Sequence, residues 1–240
     1  MGKVTAFLAL IVGLSAAEIC AQPASPDPAQ AHNLRGMEFY RQRQYDSAAA
    51  CFRAALKENP SHKLAAYNLA CALALRLSRD HSEWDVGEDS RQDPFQALER
   101  AIEIDPEAKF KAAHDGDFAT VRLMPRFQML IGADLKNPRL VEIILVGTGE
   151  WFGRICGSWC GDHLLFFETG EVQKKIATQD EKGRNVIRYV SGRYSVDDLG
   201  VITLEFPSGQ VLHGQFTEDG ALQFGTGWET RYLGYAIHDI

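Results

Sequence analysis

The strongest constraint on this chain is a change of hydrophobic period at Lys136-Asn137-Pro138. From about Ala29 to Leu135, apolar and small residues recur at helical spacing, whereas from Arg139 to Ile240 they alternate over short runs. A period of 3.6 and a period of 2 bury different faces, so the two halves are expected to build separate cores. The expected class is α+β: a helical domain at 29–136 followed by an antiparallel β-barrel or sandwich at 139–240. Fifteen of the 21 glycines follow residue 139, where tight turns between strands need them. With 240 residues, the chain is long enough for both cores.

Within the helical half, Gly36, Phe39, Ala48, Phe52, Ala55 and Pro60 follow a fixed spacing. Small residues at 36, 48 and 55 let two antiparallel helices approach closely, Phe39 and Phe52 fill the gap, and Pro60 ends the second helix. Asp46 is placed to cap that helix. A second copy runs from Tyr67 to Leu73 and from Phe95 to Pro106, with about twelve residues inserted in Ser78–Asp93. Asp93-Pro94 supplies an N-cap and a first-turn proline for the restart. This spacing resembles the tetratricopeptide repeat, with copies at about 29–62 and 63–107. Pro94 departs from the alanine the family prefers there. Asp115-Gly-Asp117-Phe118, Val121-Arg122 and Pro125-Arg126-Phe127 resemble a tail that closes bacterial repeat arrays, giving a cap at 108–135. Phe118, Leu123, Phe127 and Leu130 are expected to cover the last repeat, which two repeats alone leave exposed.

In the second half, Ile202, Leu204 and Phe206 share a strand face, as do Leu212, Gly214 and Phe216 on the next strand and Leu222 and Phe224 after that. Leu164–Phe167 and Val172–Ile176 form another expected hairpin about Thr169-Gly170, and Val186–Val196 a strand with a bulge at Gly192. About eight short strands in a hundred residues predict a small barrel or sandwich. The segments GEWFG, GRYSV, ITLEF and GALQF are similar to those of small lipocalin-like envelope domains.

The first residues read as a secretory signal: Lys3, an apolar run from Ala6 to Ala17, then small residues. Cleavage is expected after Ala21, with Ala17 the second choice, leaving 22–28 as a Pro-rich leader. Cys20 raises a lipid anchor as a minor alternative, against which Ile19 stands. The mature chain is therefore expected in the periplasm or cell envelope, with no membrane-crossing segment. A net charge of −7 and no basic run argue against nucleic-acid binding.

After cleavage four cysteines remain: Cys51, Cys71, Cys156 and Cys160. In RICGSWCGDH, residues 154–163, the C-x3-C spacing does not suit a thioredoxin-type site. A zinc site from Cys156, Cys160, His163 and His213 lacks paired ligand spacing. An exported pair so close in sequence reads best as a disulfide, Cys156 with Cys160, bridging a glycine-rich turn. Cys51 and Cys71 read as core residues or as one interhelical disulfide. The acidic insertion, Asp80 to Asp93, lacks calcium-loop spacing, and the carboxylates of Asp115 and Asp117 beside His114 read as helix caps. No catalytic motif and no cofactor are expected.

What the repeat resemblance implies is a protein or peptide partner, held in a groove lined by Asn33, Glu38, Arg41 and Asn68, with the Asn68 amide holding a peptide backbone. The alternative is an apolar small molecule in a barrel cavity lined by Phe166, Tyr189, Tyr194 and Phe224. An enzyme using Cys160 with His163 or His213 is a third reading that no motif supports.

Overall fold

A computed structural model describes residues 27–77, 93–153, 163–225 and 231–236. The signal segment, most of the acidic insertion, and both Cys156 and Cys160 lie outside the described residues. The architecture is α+β. Helices α1 (Pro28–Arg41), α2 (Tyr45–Glu58), α3 (Lys63–Leu77) and α4 (Pro94–Ile104) form two successive antiparallel pairs. The short helices α5 (Ala108–His114) and α6 (Pro125–Leu130) follow, with a 3₁₀ turn at Gly116–Phe118 between them.

Helices α1 and α4 begin where the sequence provides a start. Asp27 and Asp93 cap α1 and α4, their side chains accepting from Ala29 and Phe95 N–H. Asp46 does not cap α2. It sits within the first turn, Gln44 holds the cap position without a side-chain bond, and Asp46 instead faces Arg76 at 3.6 Å. Phe52 is fully buried against Gly36, where a Cβ would stand 2.5 Å from its ring. The tail closes the second repeat as expected, because Phe118 and Phe127 join the core of Tyr67, Ala70, Leu98 and Ala101. Leu123 turns the other way, onto the second domain.

Strands were expected from Arg139 onward, yet residues 138–147 are helical. Helix α7 (Pro138–Gly147) is capped by Asn137, whose side chain accepts from Arg139 and Leu140 N–H. Its apolar run continues into the strand pattern, so period alone did not separate them. Strands β1 (Gly149–Gly153), β2 (His163–Phe166), β3 (Glu171–Gln179), β4 (Asn185–Val196), β5 (Ile202–Glu205), β6 (Val211–Phe216), β7 (Leu222–Phe224) and β8 (Arg231–Ala236) pair in order, and β8 returns to β1. The sheet is a closed antiparallel barrel. Five consecutive hairpins share one turn, with glycine at φ between +75° and +81° at 170, 183, 200, 209 and 220. Each is a three-residue connection of the type that needs a left-handed residue. Gly192 is no bulge: the β3–β4 register runs unbroken from Glu171↔Arg193 to Gln179↔Asn185. A Cβ there would stand 2.5 Å from the Glu205 carbonyl, so close strand approach explains the glycine.

Helix α7 plugs the barrel. Val141, Ile144 and Leu145 are fully buried among Trp151, Leu164, Ile202, Leu204 and Phe224. The buried Trp151 indole donates to the Leu145 carbonyl at 3.0 Å, satisfying both groups without water. That end of the barrel also meets the helical tail. Thr148 Oγ1 donates to the Leu123 carbonyl at 3.3 Å, a Cβ at Gly200 would stand 2.5 Å from the Leu135 carbonyl, and one at Gly220 would stand 2.8 Å from Arg126 N. Among the described residues no helix is long and apolar enough to cross a membrane.

Candidate functional site

The repeat face is built by α1 and α3, the first helix of each pair. Asn68 Nδ2 donates to Asn33 Oδ1 at 3.1 Å, and His62 Nε2 lies 3.2 Å from Gln30 Oε1. Asn33 is 3% exposed and Asn68 half-buried. Leu64, one turn before Asn68, is exposed at 56%. Two of the four expected groove residues are thus brought together. Glu38 and Arg41 are exposed, and Glu38 lies roughly 140° around the helix from Asn33 at about 100° per residue.

The far half of this face is covered by the chain itself. Tyr40 is seven residues beyond Asn33, on the same stripe, and its hydroxyl donates to Asp117 Oδ2. The Tyr67 hydroxyl donates to Asp115 Oδ2 at 2.8 Å, and Asp115 Oδ1 accepts from Asp117 N–H at 3.1 Å. The caps expected at Asp115 and Asp117 are present at Asp115, but the second task of both carboxylates is to receive these phenols. The Cys71 thiol is 3% exposed and lies within 4.8 Å of both carboxylates. The Lys111 ammonium stands 3.9 Å from the Tyr67 ring centroid and supplies the nearby positive charge. Burial, above all, raises the Tyr40, Tyr67 and Cys71 pKa values, and the neighbouring carboxylates raise them further. All three groups stay neutral. His114 stands outside this cluster and is exposed. The donors and acceptors of the cluster are spent on one another, which makes it a clasp holding the tail to the repeats. Tyr40 and Tyr67 were not singled out from sequence; their helical spacing from Asn33 and Asn68 was the available signal.

Cys51 and Cys71 are both free thiols rather than a bridge. His163 and His213 lie on outer faces of β2 and β6, four strands apart in an eight-stranded barrel, and do not converge. His163 Nδ1 pairs with Glu150 Oε1 at 2.5 Å, whereas His213 Nδ1 lies 3.0 Å from Thr203 Oγ1. In the expected ligand cavity, Phe166 and Phe224 are buried in the packed core and the half-buried Tyr194 packs against it. Tyr189 lies on the outer face of β4, 62% exposed.

The paired helices with small residues at their crossings, closed by a capping tail, define a helical-repeat protein. Residues 29–62 match the family model of the tetratricopeptide repeat. The match covers α1, α2 and the turn into α3, so the chain carries a tetratricopeptide repeat, a type of protein–protein interaction module. No curated protein matches the chain, and no solved structure does.

Proposed function

We propose that the chain is an exported, non-enzymatic binding module of the cell envelope that holds an extended peptide at the Asn33–Asn68 pair. One observation carries this reading. Asn33 Nδ2 and Asn68 Oδ1 make no hydrogen bond among the described residues, although Asn33 is almost wholly buried. A donor and an acceptor on facing helices match the two polar groups of a peptide unit, and neither is among the buried side-chain atoms left without a partner, so both are reachable from solvent. Leu64 offers an apolar contact beside them. The filled barrel interior, sealed by α7, favours a supporting role for the β domain over ligand storage.

Peptides selected by display on the immobilised mature protein test this. Asn68→Ala and Asn33→Ala are expected to weaken the selected peptides about tenfold, the loss of roughly 1.4 kcal/mol expected for a hydrogen bond to a partner. Unchanged affinity in both variants would remove the site from the repeats. Export predicts a mature N-terminus at Gln22, read by N-terminal sequencing. The proposed Cys156–Cys160 bridge falls in the connection from β1 to β2, outside the described residues. It predicts that alkylation before reduction leaves those two thiols unmodified.

A further inference from the structure

The β3–β4 hairpin is longer than the barrel needs. Strand β5 pairs with β4 only from Arg193 to Val196, and β2 pairs with β3 only as far as Lys175. Among the described residues, the remainder of the hairpin pairs only with itself, as a two-stranded ribbon. Its tip is tied down by Asp180, whose carboxylate accepts from Lys182 N–H and Arg184 N–H, each at 2.9 Å, and from Arg184 Nε at 2.7 Å.

The orientation of the backbone follows from one bond. Tyr194 N–H donates across to the Gly170 carbonyl, on the β3 side. In an unbroken antiparallel ladder, N–H and C=O groups alternate sides with each residue. Ile187, Tyr189 and Ser191 therefore direct theirs away from β3. Among the described residues no strand pairs with β4 there. All three side chains are exposed, Ile187 at 54% and Tyr189 at 62%. Such an edge is a template for another strand. On one face this edge carries an aliphatic and an aromatic residue, with Arg188 between them on the other face, so the edge admits only a strand that answers that charge.

Charge selects what can add. Residues 171–193 carry six basic and three acidic side chains, a local excess of +3 in a chain of net charge −7. Arg188 lies on the face opposite Ile187 and Tyr189, whereas Lys175, the cross-strand partner of Tyr189, already faces Glu150 at 3.7 Å, so Arg188 is the charge beside this edge that an added strand meets. We propose that the free edge of β4 at Ile187–Ser191 takes an extended peptide in which apolar residues alternate with Asp or Glu. The apolar side chains lie beside Ile187 and Tyr189, and the acidic ones beside Arg188. Main-chain bonds supply the pairing and the alternation supplies selectivity. This surface is independent of the repeat face.

The test uses the full mature chain and a fluorescein-labelled seven-residue peptide of alternating valine and glutamate, followed by fluorescence anisotropy. Saturable binding is expected, weakened at least tenfold by Arg188→Glu and by Ile187→Asp, and unchanged by Asn68→Ala. These side chains are exposed, so circular dichroism should show both variants folded. Methylating the peptide amides of one parity should abolish binding while the other parity is tolerated. No binding, equal tolerance of both parities, or loss in Asn68→Ala alone would each overturn the proposal. So would concentration-dependent dimers abolished by Ile187→Asp, because the edge would then serve a second copy of the chain.

Discussion

Gly36 shows how much one missing methyl group matters. A Cβ there would stand 2.5 to 3.0 Å from three atoms of the Phe52 ring, which is fully buried and has nowhere to go. Gly36→Ala gains about 1 kcal/mol of helix propensity but overpacks a closed core at a cost of about 1–3 kcal/mol. The expected net effect is destabilising, seen as a lower urea midpoint; a higher one would mean that α1 and α2 part easily. A second residue-scale prediction concerns pH. Tyr40, Tyr67 and Cys71 are held neutral in the fold, above ordinary values of 10.0, 10.0 and 9.0. The unfolded chain ionises at those ordinary values and then binds fewer protons than the folded one. Stability from the clasp is thus complete below about pH 9 and falls as pH rises further. Urea unfolding between pH 7.5 and 10.5 should show that fall, and Cys71→Ala should remove the part that begins near the thiol value. A flat profile would mean that the clasp is solvated.

The hairpin turns divide into two groups according to what lies beside them. At Gly183 and Gly209 nothing stands within 4 Å of an added Cβ, whereas Gly200 and Gly220 face the backbone of Leu135 and Arg126. Asparagine tolerates a left-handed backbone better than other side chains do. Gly183→Asn and Gly209→Asn should therefore cost no more than about 1 kcal/mol, and Gly200→Asn and Gly220→Asn clearly more, about 2–3 kcal/mol. Equal losses at all four positions would show that turn strain alone matters. These turns were legible in the sequence because glycine is the local answer to a local demand, as were the Asp93-Pro94 start and the inward stripe of Ile202, Leu204 and Phe206. Helix α7 was not legible, since LVEIILVG suits a buried helix and a buried strand equally. Neither was barrel closure, which depends on β8 finding β1 some eighty residues away. For the candidate site, Asn33 and Asn68 could be chosen from their place in the repeat. The bonds from Tyr40 to Asp117 and from Tyr67 to Asp115 span 77 and 48 residues, and no local pattern announces them.

The two cores meet through few contacts, yet these join parts that are themselves firmly held. Arg126 pairs at 2.5 Å with Asp93, the cap of α4, while its backbone abuts the Gly220 turn. Thr148 bonds Leu123 at the mouth of the barrel, next to the α7 plug. Separating the halves would expose Leu123 and the end of α7 and would leave the nearly buried Thr148 hydroxyl without its partner. The molecule is therefore expected to unfold as one unit. Trp151 is fully buried in the barrel core, so its fluorescence follows the barrel. Circular dichroism at the helical minimum follows the repeats. In urea the two signals should change together in the wild-type chain, as a single transition requires. Gly220→Asn, by forcing the turn away from Arg126, should separate them into two midpoints without abolishing either. Two midpoints already present in the wild type would show that the junction merely touches and that each half stands on its own core. A single transition surviving in Gly220→Asn would place the coupling at α7 and Thr148, where Thr148→Val is the variant expected to split it.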